Sequence, residues 1–96
     1  MGVSYHPLVR RDMLEILRYY HNISPRLADE LRGEVRAIIA AAGRHPLRFH
    51  LADRGFRRAN LKRFPYHVLY DVQREHIRVM IVRHNKRHPD FGLDRH

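Results

Sequence analysis

Apolar positions recur along this chain with two different periods, and the changes of period divide it into elements. Val3, Tyr5 and, across Pro7, Val9 alternate with polar neighbours, which predicts a short strand held at a sheet edge by its proline. Beyond Arg11 the spacing lengthens. Met13, Ile16, Leu17 and Tyr20 fall at i, i+3, i+4 and i+7, so they form one stripe of a helix from about Arg10 to His21, with Arg11, Glu15 and Arg18 pointing elsewhere. A second helix opens on Ser24 as N-cap and Pro25 in the first turn, with Asp29 and Glu30 near the positive end of its dipole. Its buried stripe is Leu27, Leu31, Val35, Ile38, Ile39 and Ala42; Gly43 is the expected C-terminal cap, and Pro46 blocks continuation. A link of three or four residues makes the two helices an antiparallel hairpin.

Alternation with a period of two returns in three runs, about 56 to 62, 65 to 72 and 76 to 84, which reads as a β-meander. Pairing the last two runs around a tight turn at Arg74 and Glu75 places Val68 opposite Ile81, Tyr70 opposite Val79 and Val72 opposite Ile77. That apolar face is the expected seat of the helical hairpin. The opposite face carries Asp71 against Arg78, Leu69 against Met80 and His67 against Val82, with His84 one step beyond. A sheet covered on one side alternates cleanly between apolar and polar, so an apolar centre on the second face predicts a shallow groove that something covers. Phe91 and Leu93, in an otherwise polar tail, are candidates to pack back on the sheet. The expected fold is therefore α+β, in the order β-α-α-β-β-β: an antiparallel meander sheet with an N-terminal strand and a helical hairpin on one face.

Composition narrows the class of protein. A chain of 96 residues, 44% of them hydrophobic, forms one domain over residues 1–96, with a modest core. Cysteine is absent, which removes disulfides and thiolate metal sites. The start has no signal-peptide core and no window has the apolar length to span a bilayer, so the expectation is a soluble cytoplasmic protein with no membrane role. Nineteen Lys and Arg against ten Asp and Glu give a formal charge of +9, a field that draws polyanions and acidic protein segments alike.

Three chemistries follow from the residue types. Nine histidines suggest metal, but His84 and His88 share a helical spacing in a segment that Pro89 keeps from being helical, and no HExxH accompanies them, so neither a metal nor another cofactor is expected. Metal-free RNA cleavage needs a base, an acid and cations for the phosphorane-like charge; Arg58, Arg63, His67, His84 and Arg87 offer all three. Basic residues 54, 57, 58, 62 and 63, with Phe56 and Phe64 among them, suit phosphate contact and base stacking, though no RRM, KH or helix-turn-helix signature is present. Alternatively, an acidic amphipathic segment laid over Leu69, Met80 and Val82 would pair its carboxylates with a rim that includes Arg57, Lys62, Arg63 and Lys86.

The order of elements, the "FRRANLKRFPYHVLYDV" stretch and the strand ending "VRHNKRHP" resemble the RelE/ParE superfamily of type II toxin-antitoxin toxins, from Val3 to about Pro89. Tyr66, Tyr70 and Val72 look like that family's "YRVIYEV" strand, and "HNKR" looks like its "GKR" or "HGRR" ending. The resemblance implies a toxin neutralised by an acidic antitoxin. It leaves two targets open: ribosome-bound mRNA, cut without a metal by RelE-like members, or DNA gyrase, which ParE-like members poison without nuclease residues. Carrying RelE-like cleavage residues across, Arg58 and Arg87 keep the expected charge, Asn60 loses it, and His67 stands in place of an arginine. The expected tyrosine is missing, Phe91 being the nearest aromatic, while His84 matches a histidine that YoeB-like relatives use for proton transfer, without a clear counterpart for its glutamate. The expected function is growth inhibition by mRNA cleavage, with Arg58, His67, His84 and Arg87 as the catalytic set. The alternatives are a gyrase inhibitor and an inactive antitoxin-binding module.

Overall fold

The computed structural model describes residues 2–96. The chain runs β1 (Gly2–Tyr5), α1 (Val9–Ile23), α2 (Pro25–Arg44), β2 (His50–Leu51), β3 (Arg57–Asn60), β4 (Tyr66–Val72) and β5 (His76–His84). One five-stranded sheet has the order β1-β5-β4-β3-β2, so β1 lies at an edge; it stops at Tyr5, ahead of Pro7, and Val9 opens α1 instead of continuing the strand. It runs parallel to β5, while the other strand pairs are antiparallel. The element order confirms the α+β reading. The two-residue β2 at the far edge was not anticipated from the polar connection that contains it.

Both helices follow their apolar stripes. Met13, Ile16, Leu17 and Tyr20 of α1 pack against a core that Leu31, Val35, Ile39 and Ala42 of α2 share with Val68, Tyr70, Ile77 and Val79 of the sheet. The hairpin link is tighter than expected. Ser24 alone separates the helices; its extended backbone (φ −163°, ψ 124°) reverses the chain and leads into Pro25, whose fixed φ suits a first helical position. Gly43 is not the cap. It lies buried inside α2, which runs on to Arg44 and ends at His45 ahead of Pro46.

The central correction concerns register. From Tyr70–Val79 to Val72–Ile77 the pairing of β4 with β5 is as expected, but between Leu69 and Tyr70 it shifts by one residue. Leu69 pairs with Ile81, Val68 with Val82, His67 with Arg83 and Tyr66 with His84. Met80 is the extra residue of a β-bulge, and every later side chain of β5 changes face. Val82 therefore packs in the helix-side core, and Ile81 joins Phe56, Leu69, Met80 and Leu93 on the opposite face. That second face is covered by the protein's own C-terminal segment, where Leu93 is buried and Phe91 packs beside it.

A buried ion pair fastens this segment. Arg95 donates from both terminal nitrogens to the Asp12 carboxylate, at 2.6 and 2.9 Å, joining the C-terminus to the first turn of α1. The pair also serves the edge of β5 where β1 has ended: Val82 N–H donates to Asp12 at 3.1 Å, and Arg95 donates to the Met80 carbonyl at 2.9 Å. Backbone groups left without a neighbouring strand beyond the end of β1 are satisfied by side chains, as buried N–H and C=O groups must be.

Candidate functional site

The basic run "RRANLKR" separates into residues that hold the fold and one that faces outward. Arg57 points to the helix side, where it donates to the carbonyls of Leu47 and Phe49 at 3.3 and 2.8 Å and pins the chain between α2 and β2. Beside it, the Tyr70 hydroxyl donates to the Pro46 carbonyl at 2.6 Å. Lys62 and Arg63 occupy the turn before β4, whose backbone N–H groups donate to Glu34 of α2 at 3.1 Å each. The Arg63 side chain meets Glu30 at 2.9 Å, and this guanidinium, through its hydrogen bond, holds the Glu30 carboxyl below the usual carboxylate range. Arg58 alone of the set lies on the outer sheet face, donating from Nε to Asn60 at 2.9 Å.

His67 shares that outer face but is shut away beneath it, with only 1% of its surface exposed. Its Nε2 accepts from Arg83 Nε at 2.9 Å, which leaves Nδ1 as the protonated nitrogen, donating to Asn85 Oδ1 at 2.8 Å. Burial pushes its pKa down to about 4, with Arg58 and Arg83 acting in the same direction and Asn85 opposing them. Arg83 in turn donates to the carbonyls of Pro89 and Phe91 at 2.9 and 2.8 Å, so Asn85, His67, Arg83 and the tail form one hydrogen-bonded chain. A neutral imidazole with both nitrogens committed supports structure and has no free site for proton transfer.

The other two nominated residues lie elsewhere. His84, placed with Tyr66 by the bulge, packs edge-on against that ring at 4.9 Å on the helix side of the sheet. Burial raises the Tyr66 hydroxyl to about 12, so it stays protonated. Arg87, in the turn after β5, stacks its guanidinium 4.0 Å from the centre of the Phe91 ring. His84 and Arg87 line one cavity of about 180 Å³, together with Tyr19, Tyr66 and Phe91. Lys86 stands exposed beside them. The expected outer groove does not form: Leu69 and Met80 are on its face but buried under the tail, and Val82 lies on the opposite face. Among the described residues no three potential ligands converge on a metal site, and no helix is long and apolar enough to cross a membrane.

A family model described as the ParE toxin of the type II toxin-antitoxin system parDE matches residues 3–89. This chain belongs to the ParE toxin family. The match reaches from β1 through the turn that carries Arg87, and so covers both helices and all of the sheet but Gly2. Comparison with curated protein sequences gives no match. Membership in a ParE toxin family makes the chain a type II toxin and implies an antitoxin partner. Sequence reasoning missed Asp12, Arg83 and Arg95, the residues that organise the outer face. Arg83 alone carried a local signal, as a charge directly after the apolar run Val79–Val82.

Proposed function

We propose that this ParE-family toxin arrests growth by a non-enzymatic action on DNA gyrase. The observation that carries the reading is the separation of the nominated nuclease residues. Arg58 and His67 belong to one face of the sheet, His84 to the other, and Arg87 to the turn beyond; a concerted acid-base reaction needs its groups within hydrogen-bond reach of one substrate. His67 is further removed from chemistry by its two hydrogen bonds. A protein-protein mode of inhibition requires none of these groups to meet. Purified gyrase assayed for supercoiling in the presence of the toxin tests the proposal, and loss of supercoiling is the expected outcome.

One observation favours a second reading. His84 and Arg87 share a cavity with the Tyr66 and Tyr19 rings, which is a reduced acid-base set for mRNA cleavage. Primer extension on cellular mRNA after induction tests it: new 5′ ends that disappear in His84→Gln would replace the gyrase reading with this one.

A further inference from the structure

The solvent face of α2 changes character along its length. In the first half its charges are paired: Arg26 meets Glu30 and Arg32 meets Asp29, each at 3.3 Å. Beyond Glu34 such pairing stops, because residues 35–52 contain no carboxylate. Arg36 and Arg44 of the helix and Arg48 of the loop after it are exposed, and among the described residues none of them has a carboxylate within 4.0 Å. Arg44, in the last turn, offsets the negative end of the helix dipole. Arg36 lies within the helix and Arg48 beyond it, so neither has that use.

The spacing of these arginines restricts what they fit. Arg36 and Arg44 stand about 12 Å apart along the helix axis and roughly a quarter turn apart around it. The major groove of B-form DNA is about 12 Å wide, with a phosphate backbone on each wall. The exposed residues between the two arginines, Ala37 and Ala40, are too small to hold a duplex away. Leu47 is 67% exposed, the most of any large apolar side chain among the described residues, and adjoins Arg48 in the chain. Such a pair suits a minor groove, where arginine meets negative potential and an apolar side chain enters between base steps.

We infer that the C-terminal half of α2 lies across the major groove of duplex DNA, Arg36 and Arg44 meeting phosphates on its two walls while Leu47 and Arg48 reach the neighbouring minor groove. The inference adds DNA to the gyrase reading and does not depend on it. An acidic protein fits this face less well, since its alanines supply none of the large anchors on which protein interfaces rest. Duplex RNA is excluded by shape, because its major groove is deep and narrow.

The full-length ¹⁵N-labelled protein, titrated with a short DNA duplex in about 50 mM salt, tests the assignment. The expected result is a shift of the Arg36, Arg44 and Arg48 amide signals, with a Kd of about 10⁻⁵ M and a log–log salt slope of about −3 for three phosphate contacts. Arg36→Ala and Arg48→Ala should each make that slope shallower by about 1, and together weaken binding about tenfold, with unchanged thermal melting. Leu47→Ser should weaken binding without changing the slope, and Arg26→Ala, at the far end of α2, should do neither. Duplex RNA of the same sequence, oligoglutamate and anionic phospholipid vesicles should each bind about fivefold more weakly or worse. No binding of DNA, equal or tighter binding of any of those three, shifts confined to residues 85–88, or a slope that Arg36→Ala leaves unchanged would each overturn the inference. Gyrase is absent from the titration, so a toxin that inhibits gyrase without binding DNA would strike this inference alone, and the reverse result would strike the gyrase target alone.

Discussion

His67 and His84 stand on neighbouring strands, one on each face of the sheet, and the two faces treat an imidazole differently. Under the C-terminal segment, His67 has both nitrogens occupied and is held neutral by burial. At the open edge, His84 has one nitrogen committed to the Lys86 backbone and its ring at a cavity wall. The same contrast holds for the arginines: Arg83 is spent on carbonyls and His67, whereas Arg87 rests on Phe91 with no acidic partner among the described residues. Residue type alone does not make a site; what matters is how many of its polar groups the fold has already used.

Substitutions on the covered side should therefore cost stability, and those at the open edge should not. The largest expected effect is Asp12→Ala. It leaves the Arg95 guanidinium and the Val82 N–H buried without their acceptor, and loss of one partner from a buried pair typically costs about 3–5 kcal/mol. Urea denaturation measures this directly. A loss of only a few tenths of a kcal/mol would mean that the C-terminal segment is not a fixed part of the domain.

Acidification comes next. The folded pKa of His67 lies near 4, below its ordinary value of 6.5, so between those values the unfolded chain binds a proton that the folded chain does not. Stability is complete above about pH 6.5 and falls as the pH drops towards 4, by roughly 3 kcal/mol in all. His67→Gln should flatten that part of the profile. An unchanged slope in the variant would show that the imidazole is not held neutral as described.

Val82→Ala tests the bulge. On the helix-side core this truncation should cost about 2 kcal/mol, whereas a Val82 in an open groove would cost almost nothing. Smallest of all, Arg87→Ala and His84→Gln should change stability by no more than about 0.5 kcal/mol, as for surface substitutions generally. A large loss from either would make the open edge as structural as the covered face.

The elements with long, regular patterns were legible in the sequence. The helix stripes and the period-two runs placed α1, α2, β3, β4 and β5 because each repeats its signal over several residues. The bulge was not legible, since "VMIV" is uniformly apolar and a strand without alternation does not declare which residue is extra. One missed shift then inverted the faces of Ile81, Val82 and His84. The Asp12–Arg95 pair joins positions 83 residues apart, and nothing local to either residue announces it. The basic run around β3 misled for a different reason: the Arg57 charge is used by backbone carbonyls and the Arg63 charge by Glu30, partners that only the folded chain brings near. The apolar outer face was correctly seen as a surface needing cover, and the tail residues expected to pack back on the sheet, Phe91 and Leu93, supply that cover in place of a partner segment.

The most direct test of a toxin whose sheet histidine is structural is a supercoiling assay with purified gyrase, run side by side with the wild-type toxin and a folded His67→Gln variant. Both are expected to abolish supercoiling to a similar extent. Undisturbed supercoiling at high toxin excess, together with mRNA cleavage that wild type performs and His67→Gln does not, would contradict it.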